Sequence, residues 1–361
     1  MKPALTGIKI ADFSRVLAGP YATMILADLG AQVVKVERPG IGDETRGWLP
    51  PVDAKGRSTY FQSVNRNKQG LAIDLSTESG QRAARELILD SDVVVENFGT
   101  GGMAKFGISY EEIRKLKPTI VYCSITGFGS NGSLANLPGY DMLVQAMSGL
   151  MSITGEKEGH PTKVGVAVID VIAGLHASTG ILAALRARDT QGIGQHVEID
   201  LFTSALSGMA NQSGAFAAAG VNPTRMGNHH PSIVPYGIFS AKDREIAIAI
   251  GNDRQFATFA NLLSIEDKTL ERNENRVAKR DEVISLINSK LAEKSAQEWI
   301  TLFREHEIPA GPINTIAEAF AFGQENGLQL IVKTGDESSV VNPIKLSETP
   351  AEYRNPSPPL S

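Results

Sequence analysis

Asp170 closes the apolar run Gly165-Val166-Ala167-Val168-Ile169-Asp170, and a lone carboxylate at the end of such a run needs a reason. The run reads as a strand or extended segment. Val171-Ile172-Ala173-Gly174-Leu175 then opens a helical pattern that continues to Ala187, which puts Asp170 at a helix N-terminus. Unpaired backbone N–H groups and the helix dipole favour an ionised carboxylate there. Locally, two roles are open to it: an N-cap, or a nucleophile. Tyr140, within Pro138-Gly139-Tyr140-Asp141, is a second candidate. A phenol is a poor base at neutral pH but a good hydrogen-bond donor toward a carbonyl or a carboxylate; the alternative role is a packing aromatic.

Other motifs lead nowhere. Gly127-Phe128-Gly129-Ser130-Asn131-Gly132 matches a dinucleotide fingerprint and follows a strand-like run, yet Ser133-Leu134-Ala135-Asn136-Leu137-Pro138-Gly139 stands where the required helix should begin. There is no Gly-x-Ser-x-Gly elbow of the α/β-hydrolase kind. His229 and His230 are adjacent, so in an extended segment they face opposite ways, which suits loop histidines better than a shared metal. Cys123 is the only cysteine, which excludes disulfides within the chain and cysteine metal clusters; in its apolar surroundings it reads as a small core residue.

These side chains need a scaffold, and 361 residues with 42% hydrophobic content can bury one, with a length that suits about two domains. A net charge of −5 without a basic block argues against nucleic acid as a partner, so any phosphate-bearing ligand needs local cations. No signal-peptide apolar region and no stretch approaching the ~20 apolar residues of a membrane span is evident, so the expectation is a reducing, aqueous compartment, the cytoplasm, and no membrane partner. Strand-like runs at 8–12, 32–37, 92–96 and 119–125 alternate with helical segments at 20–29, 79–89 and 110–116, which predicts an α/β fold with a parallel, doubly wound sheet. Ligands in such sheets bind beyond the carboxyl ends of strands, where Asp12 to Arg15, Glu37-Arg38 and Glu96-Asn97-Phe98 all fall. After helical segments at 170–187 and 201–218, residues 220–235 read as a linker rich in Gly, Pro and Asn. A smaller domain follows, with a strand at 245–250 and helices at 254–263, 282–291 and 296–306. The charged stretch 266–280 reads as a solvated helix or loop, and the Pro-rich tail as an extended arm.

Taken in order, Lys9 to Pro20, Ala27-Asp28-Leu29-Gly30-Ala31, Val33 to Pro39, Val95-Glu96-Asn97-Phe98-Gly99, Gly127-Phe128-Gly129, Pro138 to Asp141 and Pro235-Tyr236-Gly237 resemble the class III coenzyme A transferases, the family of formyl-CoA and carnitine CoA transferases. The resemblance runs from about residue 5 to about residue 359. It implies that Asp170, ending a Gly-x-Ala-x-x-Asp run, is the nucleophile, with Tyr140 beside it. It implies that Arg15, Val16, Leu17 and Ala18 lie along the pantetheine and phosphates, with Arg38 near the nucleotide end. Ile73, Asp74, Leu75 and Ser76, together with Asn97, Phe98 and Gly99, would line the adenosine pocket, and Asp141 would belong to the same CoA site. Lys105 stands where formyl-CoA transferase has an arginine, keeping the charge without bidentate geometry. Gly251, Asn252 and Asp253 stand in place of a glycine-rich loop over the intermediates.

The resemblance further implies a large Rossmann-like CoA-binding domain over 1–220, a smaller α/β domain with linkers over 221–325, and an arm over 326–361 returning to the large domain. The family's dimers interlock, so an interlocked homodimer is expected. A CoA thioester and a carboxylic acid are the substrates implied, with no permanently bound cofactor and no metal. The stretch from Pro138 to Ala167 looks most like dicarboxylate transferases of succinyl or glutaryl type. Two alternatives stay open: an α-methylacyl-CoA racemase, which shares the fold but carries Gly-His-Asp where this chain has Gly139-Tyr140-Asp141, and a CoA-binding regulatory protein without turnover.

Overall fold

The computed structural model describes residues 2–360. In chain order it begins β1 (Lys9–Asp12), α1 (Ala18–Asp28), β2 (Gln32–Glu37), α2 (Thr59–Ser63), β3 (Lys68–Ala72), α3 (Glu78–Asp90), β4 (Val93–Glu96), α4 (Tyr110–Leu116), β5 (Val121–Thr126), α5 (Asp141–Met147), α6 (Leu150–Ile153), α7 (Val168–Gln191), β6 (His196–Asp200), α8 (Leu201–Gly208) and α9 (Asn211–Ala219). The six strands form one parallel sheet in the order β3-β2-β1-β4-β5-β6. Strand order reverses between β1 and β4, a topological switch point that opens a crevice at the carboxyl ends.

The period-two alternation of the strands builds two cores. Ile10, Val33, Val93, Val95, Val121 and Cys123 point to one face and pack under α1 and α7, while Ala11, Val94 and Tyr122 point to the other and pack under α3 and α4. Helix ends are fixed locally: Thr77 accepts from Gly80 N to cap α3, and Ser109 with Glu112 forms a capping box on α4. α7 is, by length and composition, apolar enough to cross a bilayer, contrary to the reading that no stretch approaches a span. Its buried residues, Ile169, Ala173, Ala177, Ile181 and Ala184, lie in the first of these cores. The segment expected to be one helix over 201–218 is two, broken where Ala210 takes φ +41°.

The chain divides into two compact units: residues up to Leu150, Lys163–Asn222 and from Gln329 onward in one, Met151–Thr162 and Pro223–Leu328 in the other. The excursion at 151–162 was not anticipated from sequence. It joins the smaller unit through contacts such as Gly227 N donating to Gly155 O at 3.1 Å. That unit holds β7 (Tyr236–Ser240), β8 (Glu245–Ala249), α10 (Asp253–Leu262), α11 (Asn273–Ala278), α12 (Arg280–Leu291), α13 (Ala296–Glu305), β9 (Ala310–Pro312) and α14 (Ile316–Glu325). β7-β8-β9 is an antiparallel sheet packed on a core of Phe239, Ile246, Phe259, Trp299 and Phe303. The charged stretch 266–280 is not all solvated. Arg276 is fully buried and donates to the carbonyls of Val234, Leu270 and Glu271 and to the Asp253 carboxylate, because a buried guanidinium must fill its donors.

The C-terminal arm belongs to the larger unit, but it is not simply extended. It carries the hairpin β10 (Ile331–Thr334) and β11 (Glu337–Val340) and then docks through side-chain to backbone bonds. Asn67 Oδ1 accepts from Arg354 N and Asn355 N, and the buried Arg66–Asp28 pair reaches the arm through Val340 O and Asn342.

Candidate active site

The helix bearing Asp170 starts earlier than the sequence suggests. α7 begins at Val168, so the run that reads as a strand is the approach to a helix whose first turn contains Asp170, and Ala167 is its N-cap without any side-chain cap of its own. The capping oxygen comes from elsewhere: Asp141 Oδ1 accepts from Ile169 N at 2.8 Å and from Asp170 N at 3.3 Å. Asp141 is held in turn by Gln145, fully buried, whose Nε2 donates to Asp141 Oδ2 at 2.5 Å and whose Oε1 accepts from Val164 N at 2.9 Å. Asp170 is therefore not an N-cap. Asp141, taken from sequence as part of the CoA site, has its carboxylate engaged in capping the start of α7.

This arrangement sets the ionisation of Asp170. Burial and the like charge of Asp141 push its pKa up to about 7. The helix dipole would favour the anion, but Asp141 already accepts the first N–H groups, and desolvation decides for Asp170. Tyr60, on α2, is a neighbour that sequence reading missed. Burial, followed by the negative fields of Asp170, Asp141 and Asp43, pushes its hydroxyl up to about 12.

Two cavities adjoin at the strand ends of the larger unit. The first, of about 390 Å³, is lined by Arg15, Val16, Leu17, Ala18, Asn97, Phe98, Gly99, Lys105, Tyr140 and Asp170. The second, of about 500 Å³, is lined by Arg38, Ile73, Asp74, Leu75 and Ser76, and shares Arg15, Glu44 and Phe98 with the first. Residues from six sequence regions thus meet along one groove. Arg15 stands at the junction, its guanidinium 5.2 Å from the Phe98 ring centroid and 3.0 Å from Glu44. Asp74 accepts from Ser76 N and Oγ, a tight turn that holds its carboxyl below the usual range, chiefly through the Ser76 hydroxyl. Tyr140 is 61% exposed within the chain, on the wall of the first cavity. It is brought to the end of β5 because Gly127 and Gly139 touch backbone to backbone: a Cβ on Gly139 would lie 2.1 Å from Gly127 Cα.

Beneath the groove lies a buried ionic cluster that no motif announces. Lys68 Nζ donates to Asp12 Oδ2, Asn65 Oδ1 and Pro20 O, and Lys35 Nζ donates to Asp43 Oδ2 and Ser14 O. Burial alone would raise the Asp12 carboxyl, yet Lys68, Lys35 and the Ser14 and Thr23 hydroxyls outweigh it and leave it lowered; burial brings Lys68 down to about 8. The cluster supports the Ser14–Val16 turn that leads into α1. Gly251, Asn252 and Asp253 lie in the smaller unit, where Asn252 caps α10 through Gln255 N, Gly251 N donates to Gln255 Oε1, and Asp253 binds Asn273 N and Arg276. His229 and His230 sit on a loop of that unit, packed edge-on to Phe239 and tilted against Tyr236. Among the described residues, no group of three His, Cys, Asp or Glu side chains could hold a metal ion.

Comparison with known proteins gives one answer across the chain. Residues 5–361 match the family described as CoA-transferase family III. The succinate–glutarate CoA-transferase of Agrobacterium fabrum is 42% identical over 373 residues, covering 99% of this chain and 93% of that protein. The human succinyl-CoA:glutarate CoA-transferase is 41% identical over 334 residues, 91% of this chain and 76% of that protein. A crystal structure of a CaiB/BaiF family protein from Brucella suis superposes with a TM-score of 0.88 at 39% identity, covering all of this chain and 97% of the other.

Proposed function

Because this chain belongs to CoA-transferase family III and is a CoA transferase, we propose that it moves CoA between dicarboxylates of the succinate and glutarate kind, with Asp170 as the covalent nucleophile. The observation that carries the reading is Asp170 itself: a carboxylate with a raised pKa, in a capped first helical turn, on the wall of a cavity that also presents Arg15, Lys105 and Tyr140. The dicarboxylate class rests on the names of the relatives and on the stretch from Pro138 to Ala167.

The steps follow from what a carboxylate does to a thioester. The Asp170 carboxylate attacks the acyl carbonyl of the donor, the C–S bond breaks, and a mixed anhydride and CoA thiolate form. The thiolate attacks the aspartyl carbonyl, the anhydride C–O bond breaks, the donor acid leaves as its carboxylate, and an aspartyl-CoA thioester remains. The acceptor carboxylate then runs the same two steps in reverse, ending with a new acyl-CoA and free Asp170. No net proton moves, and one thioester replaces another of similar free energy, so ATP is not required. Tyr140 is placed to donate to the carbonyl or carboxylate in the groove, and its phenol is a poor base for the α-proton chemistry of a racemase. The Rossmann-like sheet supplies the groove, Arg15 and Arg38 the cations for phosphates, and residues 73–76 with Phe98 the adenosine wall. An interlocked homodimer, implied by the family, is part of the same proposal.

The test is chemical trapping. Incubation with succinyl-CoA followed by hydroxylamine is expected to leave a hydroxamate on Asp170, read by peptide mass spectrometry. Asp170→Ala is expected to lower CoA exchange by roughly 10³- to 10⁶-fold, as loss of a nucleophile does, with CoA affinity retained. Full activity in Asp170→Ala would falsify the mechanism. A panel of mono- and dicarboxylic acceptors tests the substrate class, which fails if monocarboxylates are the better acceptors.

A further inference from the structure

We propose that Asn97 is a positioning residue, clamping the Ser14–Val16 turn in a conformation that turn would otherwise leave and so fixing the wall of the cavity that Asp170 also lines; this rests on the transferase reading. Val16 has φ +68°, a left-handed backbone that a β-branched residue strongly disfavours. Such a turn persists only where its surroundings over-determine it. Here they do, residue by residue. Ser14 has its N–H held by Asp12 Oδ1 at 3.0 Å and its carbonyl by Lys35 Nζ at 3.0 Å. Arg15 has both backbone groups held by one side chain, its N–H by Asn97 Oδ1 at 2.8 Å and its carbonyl by Asn97 Nδ2 at 2.8 Å. Val16 N–H reaches the Asp43 carboxylate at 3.3 and 3.4 Å.

The holding groups come from different strand ends. Asp12 ends β1, Lys35 lies in β2, Asp43 follows β2 and Asn97 follows β4, so the turn is tied to the sheet on both sides of the strand-order reversal. Immediately after it, Val16, Leu17 and Ala18 form the cavity wall shared with Asp170. Asp12, Lys35 and Asp43 are wholly or almost wholly buried ions whose loss would unsettle the fold, but Asn97 is only partly buried and lies on no helix or strand. Its amide oxygen and nitrogen each bond the Arg15 backbone, and because the side chain also lines the cavity, amide exchange measured without ligand isolates its effect on the turn. Reaction rate is sensitive to ångström-scale placement of the wall against which a thioester lies.

The experiment compares Asn97→Ala, Asn97→Asp and the double variant Asn97→Ala/Val16→Gly with wild type, using CoA exchange between succinyl-CoA and glutarate. Asn97→Ala is expected to lower kcat by about 10- to 100-fold while KM for the acyl-CoA stays within about threefold. Asn97→Asp, which keeps the acceptor for Arg15 N–H and loses the donor, is expected to fall between. Glycine adopts a positive φ without steric penalty, so the double variant is expected to recover at least about threefold of the kcat lost in Asn97→Ala. Hydrogen exchange supplies a readout that needs no turnover: the Arg15 and Val16 amides are expected to exchange about 10- to 100-fold faster in Asn97→Ala. An unchanged kcat, a loss confined to KM, or no recovery in the double variant overturns the proposal. If the wild type exchanges no CoA, the transferase reading is what fails, and unaltered amide exchange in Asn97→Ala would then remove the clamp as well.

Discussion

The two carboxylates Asp141 and Asp170 are coupled by one helix N-terminus, and this coupling sets a pH dependence. Attack on a thioester needs the Asp170 anion, so kcat/KM, which reports the free enzyme, is expected to rise with pH along a limb centred at about 7. Asp141→Asn keeps an oxygen for Ile169 and Asp170 N–H but removes the like charge, so the limb is expected to move toward lower pH. A limb that stays in place would sink the coupling. Stability follows by linkage. A carboxyl whose pKa is raised on folding stabilises the fold fully below its unfolded value of about 3.9, and that contribution is lost as pH rises to about 7. Asp170→Asn cannot ionise, so its gain in thermal stability over wild type is expected to be larger at pH 8 than at pH 5, measured by paired melts. Asp170 was legible because a charge ending an apolar run is conspicuous. The contacts of Asp141 and Asn97 were not, because each reaches a segment distant in sequence: Asp141 binds Ile169 and Asn97 binds Arg15.

Elements were legible where composition and burial agreed. The β-branched runs expected as strands at 32–37 and 119–125 lie inside the sheet, as strands over Gln32–Glu37 and Val121–Thr126. β3, Lys68 to Ala72, is an edge strand with a glycine at its centre, and β6, His196 to Asp200, alternates polar and apolar residues at the opposite edge; neither announces itself. The start of α7 was misread for a different reason. Val166, Val168 and Ile169 favour strand by propensity, but the Asp141 cap is a tertiary contact that starts the helix there. Within α7, Gly174 permits the close approach of α1: a Cβ would stand 2.7 Å from Ala18 O and 3.2 Å from the Tyr21 ring. Gly174→Ala would gain about 1 kcal/mol of helix propensity. The clash is with backbone, which cannot swing away, and overpacking of this kind typically costs about 1–3 kcal/mol. The net expectation is destabilisation, read as a lower midpoint in urea at unchanged slope. A higher midpoint would mean that α1 and α7 move apart easily.

At the scale of the whole molecule, the apolar surface that the chain leaves uncovered is the feature to account for. Within the larger unit Tyr140, Met142, Val166 and Phe216 are each more than 60% exposed, and Met147, Leu175 and Leu182 along α5 and α7 add to them. Scattered single hydrophobics are normal on a monomer, but Met142 and Met147 lie on α5 and Leu175 and Leu182 on α7, a helix long and apolar enough to cross a bilayer and less than half buried along its apolar stretch. A sheet-packed helix of that composition needs a cover on its second side. The homodimer proposed above would cover it with a copy of the same chain, and the interlocking that the family resemblance implies would thread the two chains through each other. The expectation is a dimer by analytical ultracentrifugation at micromolar concentration that persists on dilution to nanomolar. Tagged and untagged protein, mixed under native conditions, are expected to form no mixed dimers over hours, and to form them freely after joint unfolding in guanidinium and refolding, because linked chains separate only by unfolding. A monomer at micromolar concentration would leave α7 without its cover and sink the dimer. Mixed dimers appearing within minutes under native conditions would retain the dimer and sink the linkage.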